Sequence, residues 1–279
     1  MSYRIVSDSS SNLFVLEGEP NYTTVPLKVL ADGKEFADVP GLDLEKMIGE
    51  VEASTRSSTS CPNAQEWLDA FEGADEVYAI TISSNLSGSY AAAMVAKDML
   101  EQEHPEVKVH VLDSKATGGS MQLAAQKISE CKKQGMSFEE TVAETEKYFA
   151  NTAILFLLES LSNLAKNGRV NGTVAKVASM LGIRFIGKAS KEGTIQQCAI
   201  ARGSKRALST LVAEIMKKGY DGGKMIISHC LNPELAETLK GKILESFPQA
   251  EIAIDSCTAL CSYYAERGGL IVCFDIKNA

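Results

Sequence analysis

Four short runs rich in valine and isoleucine, at residues 3–6, 77–82, 107–112 and 152–157, alternate with segments of helical period at 43–54, 64–72, 89–102 and 117–134. Strands separated by helix-length segments are joined by crossovers, and crossovers build parallel sheets buried on both faces. The alternation therefore predicts an α/β fold whose N-terminal lobe has a mostly parallel sheet with flanking helices. Beyond residue 155 the order changes: helices at 159–166 and 172–181 precede strands at 183–187, 194–200, 224–228, 250–254 and 270–275, with further helices at 204–218 and 233–246. A second α/β domain with a mixed sheet is expected there, giving lobes at 1–155 and 156–279. No linker-like stretch separates the two, so the crevice between them is the expected binding site.

Charge narrows the partners. A formal net charge of -8, with no concentration of Lys and Arg, argues against a nucleic-acid surface. No apolar run approaches the length of a membrane span, and the start "MSYRIVSDSS" enters a strand directly, so a cytoplasmic protein is expected. Seven cysteines with no CxxC spacing suggest reduced, small core residues, with no metal or cofactor expected. Cys257 and Cys261 sit one helical turn apart, which a buried helix face explains more simply than a metal or redox site near His229 and Cys230.

The chemistry gathers at strand ends. "ITISSNLSGSY" (80–90) places Ser84, Ser87 and Gly88 between a strand and a helix, where open α/β sheets bind ligands and helix amides attract anions. Serine also caps helices, which is the plainer role for Ser87. "STSCPN" adds Thr59 and Ser60, and "VSDSSSNL" adds Asp8 and Ser9, each just before a helix or just after a strand. Three hydroxyl-rich loops converging on one crevice form an anion site, and no glycine-rich nucleotide motif accompanies them. The competing reading is a serine-dependent acyl hydrolase using Ser87 or Ser84 with His229, the one histidine expected at a strand's carboxyl end, although the G-x-S-x-G elbow is missing.

The segments "IVSDSSSNL", "STSCPN", "TISSNLSGSYAAA", "VLDSKATGGS", "LSNLAKNGRVNGTVAKVASMLGIRFI" and "ISHCLNPELAETLK" together resemble the DegV family, in order and spacing, to about residue 250. The resemblance implies a bacterial, two-lobed, non-enzymatic carrier that holds a long-chain fatty acid in a tunnel, its carboxylate on a threonine and a serine. It further implies presentation of that carboxylate to a separate ATP-using kinase subunit. Carried onto this chain, Thr59, Ser84 and Ser87 hold the carboxylate with Gly88 beside them, Asp8, Ser9, Ser60 and His229 support them, and Arg202 faces the kinase partner. Two departures bear on this: Cys61 replaces a glutamine of the family's T-S-Q-P motif, and Tyr264 and Arg267 fall where the C-terminal H-T-G-P-G segment has histidine and proline. That histidine belongs to the partner-facing surface, so Tyr264 weakens the expected service to a kinase while leaving fatty-acid binding untouched. Neutral hydroxyl donors, without an arginine clamp, are expected around a carboxylate that must later react.

Overall fold

The computed structural model describes residues 2–170 and 182–276, so the helix expected at 172–181 lies outside the described residues. The chain opens with β1 (Tyr3–Asp8) and β2 (Tyr22–Val25), then enters β3 (Lys28–Ala31), β4 (Lys34–Ala37), α1 (Leu44–Ala53) and β5 (Ser57–Ser60). Next come α2 (Ala64–Phe71), β6 (Glu76–Thr81), α3 (Ser89–Glu103), β7 (Lys108–Asp113), α4 (Gly119–Lys133) and α5 (Phe138–Phe149). The first domain is built on a four-stranded parallel sheet in the order β2-β1-β6-β7. Its alternating side chains fill two cores: Val6, Val77 and Ala79 meet Trp67 and Phe71 of α2, while Ile5, Tyr78 and Ile80 meet Met121 of α4.

The second domain contains β8 (Thr152–Leu158), α6 (Ser162–Lys166), β9 (Ile183–Ala189), β10 (Ile195–Arg202), α7 (Ser204–Lys217), β11 (Lys224–His229), α8 (Pro233–Ser246), β12 (Glu251–Ser256), α9 (Ala259–Ala265) and β13 (Leu270–Asp275). Its six-stranded mixed sheet runs β10-β9-β8-β13-β11-β12, with β11 and β12 parallel and the other pairs antiparallel. The strand expected to close the first lobe is β8, and it lies inside this second sheet between β9 and β13. A boundary at residue 155 therefore falls within a strand. Periodicity reveals that a strand exists, whereas its partners are chosen by long-range pairing.

Among the elements absent from the sequence reading are a small sheet that shapes the crevice and a helix that packs on α4. The strands β4-β3-β5 form a separate three-stranded antiparallel sheet, and its Val29, Phe36 and α1 residues Met47 and Val51 share one core with Phe156, Phe185 and Ile271 of the second domain. The small sheet thus bridges the domains. The other is α5, whose start is a capping box in which Ser137 and Glu140 satisfy each other's backbone amides.

Helix α4 is wedged between the two sheets. Its first turns are buried all round, and a Cβ on Gly119 would stand 2.7 Å from Cβ of Ile226 on β11. Only glycine permits this approach, which is what brings the two domains close enough to share an interior.

Candidate functional site

The hydroxyls between β6 and α3 divide into four tasks. Ser83 Oγ donates to the carbonyl of Gly193 at 2.8 Å and Asn85 Nδ2 to that of Glu192 at 2.7 Å, so the first domain grips the tip of the β9–β10 hairpin. Ser84 is exposed and donates to Asp113 Oδ2 at 2.6 Å. Ser89 reaches inward to Asp8 Oδ2 at 2.7 Å. Ser87 remains to face the crevice, its Oγ accepting from the Ser89 amide at 3.2 Å. The N-cap of α3 is Gly88, which has no side chain to cap with, so beyond the Ser89 amide the helix start beside the crevice keeps its partial positive charge.

A cavity of about 270 Å³ lies between the domains. Its walls are apolar and come from both domains, with Leu27 and Ile82 facing Phe156, Leu158, Ile195 and Ile271. Its polar lining includes Thr59, Ser60, Ser87, Gly88, Arg169 and Tyr264. Period-two alternation along β5 turns Ser57 and Thr59 the same way, onto consecutive tyrosines of α9: Tyr263 Oη donates to Ser57 Oγ at 3.0 Å, and Tyr264 Oη pairs with Thr59 Oγ1 at 2.8 Å. Burial raises the Tyr264 pKa, only partly countered by Thr59 and Arg169, so this phenol stays a neutral donor at ordinary pH. Gly88 and the Cys61 thiol stand against each other, since a Cβ on Gly88 would lie 3.2 Å from Cys61 Sγ.

Arg169 is the residue the sequence reading did not single out. It follows Gly168, whose positive φ of 71° turns the chain after α6, and its Nε donates to the Leu86 carbonyl at 3.1 Å. The guanidinium carbon lies 5.9 Å from the Tyr264 ring centroid, and among the described residues Arg169 has no ion-pair partner. A half-buried cation lining an apolar cavity suits one carboxylate. Arg169 thus adds a cation to a lining expected to hold neutral donors; the signal available was the arginine within "NGRVNG".

Several expected roles change. Ser84 is drawn away from the crevice by Asp113. Asp8 and Ser9 are buried behind the site: Asp8 accepts from the Ile82 amide at 2.9 Å and Ser9 Oγ from the Leu27 amide at 3.0 Å, so both brace the wall without lining it. Tyr264, expected on a partner-facing surface, is part of the cavity wall. Arg202 is exposed at the end of β10 and does not line the cavity. His229 sits at the carboxyl end of β11 but off the cavity, because alternation sends it to the face of Met225 and Ile227, which pack with α7 and α8. Its Nδ1 accepts from the Asn232 amide at 3.3 Å, and no serine bonds to it among the described residues, so the Ser–His pairing of the hydrolase reading is not formed. Cys257 precedes α9 instead of sharing a helix face with Cys261; burial raises both thiols, Cys261 to about 12. Among the described residues no three His, Cys, Asp or Glu side chains gather as a metal site.

Comparison with known proteins identifies the architecture. The family profile described as "Uncharacterised protein, DegV family" matches residues 2–276. The chain belongs to the DegV family. A DegV domain-containing protein of Streptococcus pyogenes serotype M1 is 40% identical over 280 residues, covering 99% of this DegV chain and 100% of the relative. Among solved structures, a DegV family protein from Eubacterium eligens loaded with heptadecanoic acid is 38% identical, with a TM-score of 0.96 over 99% of this chain and 100% of that one. The fatty acid kinase (Fak) B3 protein of Streptococcus pneumoniae, loaded with linoleic acid, is 36% identical, with a TM-score of 0.97 and the same coverage. Among the described residues of this DegV chain, no helix is long and apolar enough to cross a membrane.

Proposed function

We propose that this DegV chain binds a long-chain fatty acid in the cavity between its domains and acts as a carrier, with the carboxylate held by Thr59, Ser60, Ser87, Gly88, Tyr264 and Arg169. The observation that carries the reading is an apolar interdomain cavity whose polar lining pairs a guanidinium with hydroxyl groups. Relatives of nearly identical shape hold heptadecanoic and linoleic acids, which supports the same ligand class here. Magnitudes divide the labour: burying some 14 methylenes at about 0.8 kcal/mol each gives roughly 11 kcal/mol before immobilisation costs. Hydrogen bonds to the charged head contribute roughly 1.5–3 kcal/mol apiece. The tail supplies affinity, and the head supplies orientation.

The same geometry supports presentation of the carboxylate to a separate ATP-using subunit. Gly88 and Ser60 are exposed at the polar lining, which leaves the head group approachable from solvent. Likeness to the fatty acid kinase B3 protein supports this step, with Arg202 as a proposed contact.

Purified protein, denatured and extracted, is expected to release near-stoichiometric C14 to C18 fatty acid on mass spectrometry. An empty protein that also refuses added oleate and palmitate overturns the reading. Replacing Arg169 by Met, which keeps the apolar stem, is expected to weaken fatty-acid binding about 10- to 100-fold. Affinity for the corresponding fatty alcohol should barely change, as titration of both ligands will show.

A further inference from the structure

Helix α9 is only seven residues long, Ala259–Ala265, yet it carries Leu260, Cys261, Tyr264 and Ala265 of the cavity wall. So short a helix does not hold itself together, and its N-cap residue Thr258 supplies no side-chain cap. The cap comes from the small bridging sheet. Asp38, the residue after β4 and only 2% exposed, accepts from the Ala259 amide through Oδ1 at 2.8 Å. Its Oδ2 accepts from the Leu260 amide at 3.1 Å and from Thr258 Oγ1 at 3.0 Å. Asn12 Oδ1 adds an acceptor for the Thr258 amide at 2.9 Å.

At its other end, α9 is tied to the same sheet through Tyr263–Ser57 and Tyr264–Thr59. One three-stranded sheet therefore grips the helix at both ends, with β4 supplying the anchor and β5 the contact that faces the ligand. Asp38 is not among the cavity-lining residues, and its carboxylate bonds directly to the start of α9, so the helix is its most direct route to the head group.

We infer that Asp38 is a positioning residue of the head-group site: by capping α9 it fixes the rotation and axial placement of the helix, and so aims the Tyr264 hydroxyl at Thr59 and the carboxylate. This rests on the fatty-acid reading above. A carboxylate accepting two helix amides and a hydroxyl also complements the positive end of the helix, which is where an acidic side chain stabilises most.

The test is a double-mutant cycle on the full chain, with Asp38→Ala, Tyr264→Phe and the combination, measuring dissociation constants for palmitate and for hexadecanol by fluorescence displacement. Asp38→Ala is expected to weaken palmitate about tenfold or more. Hexadecanol, which forms no charge-assisted bond, should change by less than about threefold. In the Tyr264→Phe background the same change should cost palmitate less than about twofold, because the group it positions is already gone. Asp38→Asn, which retains one acceptor oxygen, should fall between wild type and alanine, and it serves the same cycle if the alanine variant does not fold. Equal losses for acid and alcohol, or additive losses in the double variant, overturn the inference. Failure of wild type to bind palmitate, or no loss with Tyr264→Phe, overturns the head-group assignment instead, so the two failures are told apart.

Discussion

Replacing Asp8 by alanine is expected to cost about 3–5 kcal/mol of folding stability, among the largest effects of any single side chain outside the apolar cores. Asp8 Oδ2 accepts from the Ile82 amide at 2.9 Å and from Ser89 Oγ at 2.7 Å, while Oδ1 accepts from the amide and hydroxyl of Ser10. All of these donors lie in the buried zone where β1, β6 and α3 meet. Truncation leaves them without an acceptor, at roughly 1–3 kcal/mol for each group left unpaired. Urea titration of both proteins measures the loss, and a difference below about 1 kcal/mol would show that water replaces the carboxylate. The pH dependence has a definite sign. Burial raises the Asp8 pKa above its ordinary 3.8, more than its hydrogen bonds lower it. The folded state then holds the proton more tightly than the unfolded state, and this stability is lost as pH rises through the folded value. The wild-type advantage over Asp8→Ala should therefore be larger near pH 4 than at pH 7.

A second large effect is expected at Gly193, where replacement by alanine should release the β9–β10 hairpin from the first domain. The residue has a φ of +84°, and a Cβ there would stand 2.3 Å from Ser83 Oγ and 2.8 Å from Lys115 Cα. The left-handed backbone costs roughly 1–2 kcal/mol for a residue with a Cβ, and the overlap about 1–3 kcal/mol more. Undocking leaves the left-handed cost in place but relieves the overlap, and the two hydrogen bonds that dock the tip oppose it by only about 0.5–1.5 kcal/mol each, so the docked tip loses most of its advantage. Ile195, the first residue of β10 and part of the cavity wall, moves with the tip. Fatty-acid dissociation should accelerate at least tenfold, with faster hydrogen exchange confined to the hairpin tip and to residues 83–85. Stopped-flow release of a fluorescent fatty acid measures the first effect; an unchanged rate would show that the hairpin does not hold the ligand.

Much of this architecture was legible in the residues. The Val- and Ile-rich runs locate the central strands of both sheets, because strands buried on both faces need apolar side chains at every position. The small sheet escaped detection because its strands, "KVLA", "KEFA" and "SSTS", are too short for a period to show, and the last is wholly polar. The last of these is held as a strand by its ladder with β3 and by Tyr263 and Tyr264, which bond Ser57 and Thr59, a tertiary effect that overrides weak β-propensity. At the site, the residues marked a hydroxyl-rich junction but not its division of labour. Which of Ser83, Ser84, Ser87 and Ser89 meets the ligand is decided by turns that point one at the hairpin, one at Asp113, one at Asp8 and one into the cavity. The contact of Tyr264 with Thr59 was illegible for a related reason: it joins residues 205 positions apart in the chain.

The place of β13 in the second sheet dictates an order of events in synthesis. Residues 3–113 contain every strand of the parallel sheet, so that sheet can pair while most of the chain is still being made. The mixed sheet cannot do the same, because Leu270–Asp275 lies between β8 and β11 and pairs Leu270 with Leu157 across 113 residues of chain. Until those six residues emerge, two apolar strand edges stand open side by side. Loop closure over such a span is slow, and open edges of this kind recruit other chains. The nascent protein therefore passes through a stage in which one domain is finished and the other is a pair of unpaired half-sheets, the interval in which a chaperone has the most to protect.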